Sequence, residues 1–476
     1  MTIIVLLILA GVSIQMLAGD NGILQRAGET ENTTDEAQIK EKIRLSYLAA
    51  LTGGKGQVTE GLLVDELDKE FGINGYELSQ DLTKVTINGK DYEVGGEVTP
   101  GGRATKDKNG VKITTTTETT PFLPNPTKNE ITNNDLRTGL TIKDENQNEW
   151  VWIVVPKTDK VYKIAGVGQT LPDVPDNSEN SIYTKIEADL RKYCETDKAG
   201  NALITQTDGT ESTRDWKATT AGYVDEYVAG KGTNINSPEK YKEYKQKMLK
   251  SVYENGGFYI GKYEAGTETA RGAKTDTLTT AVIKQNAYPY NYVTNAQAED
   301  LAEGFKTGEK TTTLLFGVQW DLVLRYLSEL GVSTADLTAD SSTWGNYSNQ
   351  QFDLNRGEYS QESPWSTFIS YTTGTPNKVT VTGSGENLVS RKIGTTSTNR
   401  ILLTTGASDT NSKKNIYDLA GNVWEWTLEK TPYSDYHCSY RGGNYVGTGS
   451  NYPASNRSSG NTSSSYDDIG FRVSLY

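Results

Sequence analysis

Apolar and polar positions change regime several times along the chain. Residues 2–19, TIIVLLILAGVSIQMLAG, are nearly continuously apolar, and the first charged side chain is Asp20. About 18 helical residues at ~1.5 Å each reach roughly 27 Å, enough to cross a bilayer core. The run reads as a membrane-anchoring or filament-core helix. A secretory signal peptide, which needs a basic n-region, and a buried core helix are the alternatives. Next, Ile39, Ile43, Tyr47, Leu48 and Leu51 recur at helical spacing. Thr33 and Glu36 are spaced as a capping box before them, and Gly53-Gly54 closes the helix. Leu63, Leu67 and Phe71 predict a second helix over 59–71, stopped by Gly72. Residues 85–94, VTINGKDYEV, alternate around Asn88-Gly89, the signal of a tight hairpin.

Residues 96–140 are rich in Gly, Thr and Pro and poor in apolar positions, which predicts a linker or stalk. From 141 the apolar periods return. NEWVWIVVPK (148–157) and GGFYIGKYEAG (256–266) predict strands. Helices are predicted around 182–194 and 238–253, and an amphipathic one over 312–330. The chain thus divides into an apolar helix (1–30), a small α+β module (31–95), a linker (96–140) and a larger α+β domain (141–476).

Composition narrows the chemistry. A net charge of -13 without a basic patch excludes nucleic-acid binding. His437 is the single histidine, so His-based catalysis and zinc sites are set aside. Cys194 and Cys438 allow one disulfide at most, not a framework. The 28 tyrosines outnumber the 8 Phe and 8 Trp, a bias that suits binding surfaces.

The motifs VWIVV, GFYIGKYEAG, FGVQWDLVLRYL, DLAGNVWEWT, RGGNY and GFRVSLY follow one another across 148–476. As an ordered set they resemble the formylglycine-generating enzyme (sulfatase-modifying factor) family. That resemblance implies a C-type-lectin-like fold, which also serves as the display scaffold of variable proteins of diversity-generating retroelements. The N-terminal run, followed by a charged amphipathic helix, resembles type IV pilin-like proteins of Gram-positive bacteria. It lacks their basic leader, Gly-type cleavage site and early Glu. Membrane association through residues 1–19 is expected, and pilin-like self-assembly is left open.

The enzyme family needs two cysteines after the Gly-Gly motif. Counted from Gly442-Gly443, the matching positions are Gly447 and Tyr452, and neither supplies a thiolate. Copper chemistry is therefore not expected, nor is the iron chemistry of the histidine-bearing branch. The resemblance also implies a calcium site with Asp418 and Glu425 as side-chain ligands and Gly421 and Val423 as carbonyl ligands. Alternatively, Asp418 and Glu425 make loop hydrogen bonds or pair with Arg441 or Arg472.

Between Tyr433 and Asp468 the chain is dominated by Tyr, Ser, Asn, Gly, Asp and Thr, the mix of an antibody paratope. A polar solvated loop is the alternative. The expected contacts are Tyr433, Tyr436, Tyr440, Asn444, Tyr445, Asn451, Tyr452, Asn456 and Tyr466. The same residue set resembles that produced when retroelements randomise adenines. The expectation is a non-catalytic surface or pilus-tip protein that binds a protein or glycan on another cell or phage. A divergent formylglycine-generating oxidase and a structural minor pilin are the alternatives.

Overall fold

A computed structural model describes residues 31–476 except 55, 73–74, 80, 100, 108–109, 114–117, 204–222, 231, 306, 362, 371–377, 383–389, 394–395 and 399. The expected apolar helix over 1–30 lies outside the described residues. Among those that are described, no helix is long and apolar enough to cross a membrane. The chain forms two compact units, Met1–Gly101 and Gly102–Tyr476.

In the first unit, α1 (Glu31–Gly53) and α2 (Glu60–Phe71) pack beside a three-stranded antiparallel sheet of β1 (Glu77–Leu78), β2 (Lys84–Ile87) and β3 (Lys90–Glu93). Thr59 caps α2 by accepting from the Leu62 N–H, and Gly72 ends it at φ 75°. Asn88 and Gly89 take φ values of 51° and 76°, the conformation of the tight turn expected between β2 and β3. Ile43 and Ala50 of α1, Leu63 and Leu67 of α2, and Val85 and Tyr92 of the sheet close one small core.

The second unit begins earlier than expected. Residues 102–140, read as a linker, contain β4 (Ala104–Asp107), β5 (Gly110–Ile113) and β6 (Glu130–Asn133). The few apolar residues of this polar stretch are spent on the core. Leu123, Leu136 and Leu140 are buried, and Phe122 meets Trp152 and Tyr259 edge-on at 5.7 and 5.3 Å. The Trp152 indole N–H donates to Thr119 Oγ1 at 2.8 Å, and the Tyr259 hydroxyl donates to the Phe122 carbonyl at 2.8 Å.

The main sheet has six strands in the order β10-β15-β9-β8-β7-β6. Its members besides β6 are β7 (Thr141–Lys143), β8 (Glu149–Val154), β9 (Gly257–Gly261), β10 (Thr312–Leu314) and β15 (Val473–Leu475). Residues 150–153 are buried without alternation, as expected for a strand covered on both faces. The helices α3 (Ile182–Cys194) and α4 (Pro238–Asn255) fall where their periodicity placed them. α5 (Asn295–Glu303) follows. The segment expected as one helix over 312–330 is instead β10 followed by α6 (Gly317–Glu329). β10 pairs with β15, so its apolar run serves a sheet edge before the helix starts.

A second sheet of four strands, in the order β13-β12-β11-β14, carries the C-terminal motifs. They are β11 (Trp424–Lys430), β12 (Cys438–Arg441), β13 (Arg457–Gly460) and β14 (Ile469–Phe471). Between α6 and β11, short strands that include Phe352–Asp353, Lys378–Thr382 and Ser390–Ile393 form an insertion with its own core around Phe352, Val379 and Ile401. The sequence pattern did not mark it. Cys194 and Cys438 are both buried and unbridged.

Candidate functional site

Side chains alternate across the C-terminal sheet, so its two sides do different work. In register, Glu425, Arg441 and Arg457 lie opposite one another, and so do Trp426, Tyr440 and Ser458. The first set belongs to the side facing α6. Asp321 of α6 accepts from Arg441 at 2.8 Å and from Arg457 at 2.6 Å. Arg457 also donates from Nε to both oxygens of Glu429, at 2.9 and 3.0 Å. Burial pushes the Asp321 carboxyl up, but Arg457 and Arg441 outweigh it and hold it below its ordinary value. The adjacent Asp225 accepts from the Gly317 and Val318 N–H groups at 2.7 and 3.0 Å, placing a carboxylate on the positive end of α6. Asp225 is also paired with Arg191 at 2.8 Å.

The other side carries an aromatic array. Trp424 meets Tyr440 at 5.1 Å and Tyr452 at 5.3 Å, and Tyr440 meets Trp426 at 5.1 Å, all edge-on. Trp426 is sealed, donating to the Val293 carbonyl at 3.1 Å, whereas Tyr440 and Tyr452 are half-buried. The nine expected contact residues therefore divide. Tyr440 and Tyr452 are brought together on Trp424. Tyr436 and Tyr466 are 47% and 55% exposed in the loops on either side, Asn451 is exposed, and Tyr433 is half-buried.

Asn444, Tyr445 and Asn456 are buried, which corrects their assignment as contacts. Asn444 donates to Asp468 Oδ2 at 2.5 Å and accepts from the Gly447 N–H at 2.8 Å, so it is the brace of its own loop. Tyr445 packs on Trp365 at 5.0 Å and donates to Asp467 Oδ2 at 2.7 Å. Asn456 donates to the Asn451 carbonyl at 3.1 Å, and its own carbonyl accepts from Arg441 Nε at 3.2 Å. A polar composition does not separate an exposed Asn from one that satisfies buried backbone.

Gly447 and Tyr452, the positions expected from the resemblance to match the two enzyme cysteines, are neighbours in space. A Cβ built on Gly447 would lie 2.3 Å from Tyr452 Cδ2. The Tyr452 ring fills the room a side chain at 447 would need. Gly447→Ala is expected to lose about 1–3 kcal/mol in urea unfolding, because the ring must be pushed off Trp424.

The DLAGN loop ahead of β11 is built on left-handed turns, with Asp418, Gly421 and Asn422 at φ 57°, 74° and 56°. A Cβ on Gly421 would lie 2.5 Å from the Asn346 carbonyl, so only glycine fits. Glu425 is not turned toward Asp418 as a joint calcium ligand. Arg472 takes its carboxylate from Nε at 3.1 and 3.0 Å and from Nη2 at 2.6 Å. Asp418 accepts from the Gly406 N–H at 2.7 Å through Oδ2, and its Oδ1 is buried without a hydrogen-bond partner. Glu264, fully buried, accepts from Asn422 through Oε1, and its Oε2 likewise has no partner. Burial pushes Asp418 up to about 7 and, with the charges of Asp418 and Glu425, pushes Glu264 well above the carboxylate range.

Among the described residues, no group of three or more His, Cys, Asp or Glu is arranged to hold a metal ion. The expected set of Asp418, Gly421, Val423 and Glu425 does not fit calcium as it stands, because Arg472 occupies Glu425. Sequence reasoning missed Glu264, although its signal was visible as a lone acid inside the apolar run GFYIGKYEAG.

No curated protein matches the chain. Residues 258–475, which hold the aromatic array, the Asp321 ion cluster and Glu264, match the family model of the sulfatase-modifying factor enzyme 1-like domain.

Proposed function

We propose that this domain is a non-catalytic binding module whose ligand sits on the Trp424, Tyr440 and Tyr452 side of the C-terminal sheet. One observation carries the reading: the place where the enzyme family needs a cysteine pair is filled by the Tyr452 ring over Gly447. Aromatic side chains held by each other lose little entropy on contact and supply apolar area with polar edges. The apolar run of residues 2–19 supports display at a membrane or on a filament. The test is a mixed peptide and glycan array probed with the second unit and with its Tyr440→Ala and Tyr452→Ala variants. Array signal is expected from the parent and about tenfold less from each variant, all three being probed well below their own thermal midpoints. Equal signal from all three proteins sinks the reading.

The exposed and buried positions of 433–468 make the retroelement reading specific. Variation across a natural population is expected at Tyr436, Asn451 and Tyr466 and not at the buried Tyr445, Arg441 or Arg457. An invariant segment in deep sequencing of the gene's 3′ end rules out diversification. The family match favours a second reading, an oxidase. Turnover of a cysteine-containing sulfatase peptide in the presence of copper would establish it.

Calcium enters only through Asp418 and Glu264, whose unpartnered oxygens could take a cation. Both carboxyls are raised in the folded state; the contribution of Asp418 to stability is fully present below its unfolded value and is lost as pH rises through about 7. The thermal midpoint is expected to fall between about pH 4 and about pH 7, and calcium to restore it at the higher pH. A midpoint indifferent to calcium at both pH values removes the ion from the proposal.

A further inference from the structure

The charges around the aromatic array indicate what it would hold. Every Arg of segment 433–468 is turned inward: Arg441 and Arg457 are buried and consumed by Asp321 and Glu429. The acids of the same segment, Asp435, Asp467 and Asp468, are exposed or half-buried. Asp468 adjoins the array, and Asp467 precedes it in the chain. The Trp424 N–H donates to the Asp468 carbonyl at 2.8 Å, and Asn444 fixes the Asp468 carboxylate at 2.5 Å while also bracing Gly447 under Tyr452. Tyr445 fixes Asp467 at 2.7 Å. Burial, then the charges of Asp467, Asp276 and Asp468, push the Tyr292 hydroxyl up to about 12. The exposed Arg400 is the cation that bears on Asp468.

Resting on the proposed binding face, we infer that the occupant is a lysine- or arginine-bearing polypeptide segment. Its cationic side chains lie over the half-buried Tyr440 and Tyr452, with Asp468 and its neighbour Asp467 as counter-charges. A cation over an aromatic face is attracted by the ring quadrupole, and the attraction grows when a carboxylate completes the cage. An anionic ligand would instead face two carboxylates, while a neutral one would gain nothing from them.

The pair also sets a pH dependence. Burial, then the neighbouring Asp467, pushes the Asp468 carboxyl up to about 6, with Asn444 and Arg400 pulling the other way. A cation needs the ionised form, so affinity rises as pH increases through that value and falls below it.

The probe is an N-acetylated, amidated ten-residue oligolysine, titrated calorimetrically into the full chain, with oligoglutamate as control. An acidic protein attracts any polycation, so three variants are compared. Asp467→Asn with Asp468→Asn keeps the acceptors for Tyr445 and Asn444 but removes the charge. Tyr440→Ala removes part of the cage. Asp173→Asn with Glu179→Gln removes the same charge from an exposed loop ahead of α3. Affinity is expected to fall about tenfold or more in the first two and to stay within about twofold in the third. Equal losses in the Asp pair and the distant pair overturn the inference, as does equal affinity throughout. If array hits are neutral glycans that Tyr440→Ala abolishes and the Asp pair does not alter, the binding face stands and the cationic partner is wrong.

Discussion

Asp321→Ala is expected to destabilise the second unit by about 3–5 kcal/mol, measured as a shift in the urea midpoint at unchanged slope. The side chain accepts from two guanidinium groups, and the cluster of Asp321, Glu429, Arg441 and Arg457 is charge-balanced. Removing Asp321 leaves one buried positive charge without compensation. An isosteric Asp321→Asn change keeps the shape but not the charge and is expected to cost nearly as much. The acid limb should move as well. Asp321 has a folded-state value below its ordinary one, so its contribution is present above the unfolded value and is lost as pH falls through the folded one. Wild type should therefore lose its advantage over Asp321→Asn in acid. A constant difference between the two proteins down to low pH would show that Asp321 acts by packing alone.

This cluster shows which parts of the chain were legible. RGG and NVWEW marked the C-terminal sheet, because tight turns and buried strands leave strong local patterns. The partners of Arg441 were not readable. Asp321 is separated from it by the whole insertion, and in the sequence it is one acid on a helix that also carries Arg325 and Glu329, with nothing local to pair it with Arg441. Glu425 posed the same problem: two arginines were candidates, and only the fold selects Arg472. The hairpin at Asn88-Gly89 was legible because its turn is local, and the helices around 182–194 and 238–253 because their apolar periods are. Residues 102–140 were misread for the converse reason. Composition averages over a window, and the burial of Phe122, Leu123 and Leu136 depends on distant strands rather than on their neighbours.

Segment 433–468 separates display from core most sharply at its tyrosines. Tyr445→Ala is expected to cost about 3–5 kcal/mol, in the range of a large aromatic removed from a packed site. Tyr445 is fully buried with Trp365, Leu402 and Val423, its N–H donates to the Asn422 carbonyl at 2.8 Å, and its hydroxyl is spent on Asp467. Tyr445→Phe retains the ring and loses only that charge-assisted hydrogen bond, about 1.5–3 kcal/mol. Tyr466→Ala and Tyr436→Ala, on exposed loops, should stay within about 0.5 kcal/mol of the parent. Thermal or urea unfolding of the four variants orders them. A Tyr445→Ala protein as stable as Tyr466→Ala would place Tyr445 on the surface and return it to the ligand face. The expected ordering instead divides the segment by depth: Tyr445 is fixed by its surroundings, while Tyr436 and Tyr466 can change without loss of fold. A binding face that varies in evolution needs that division, because only residues with no structural debt can be exchanged freely.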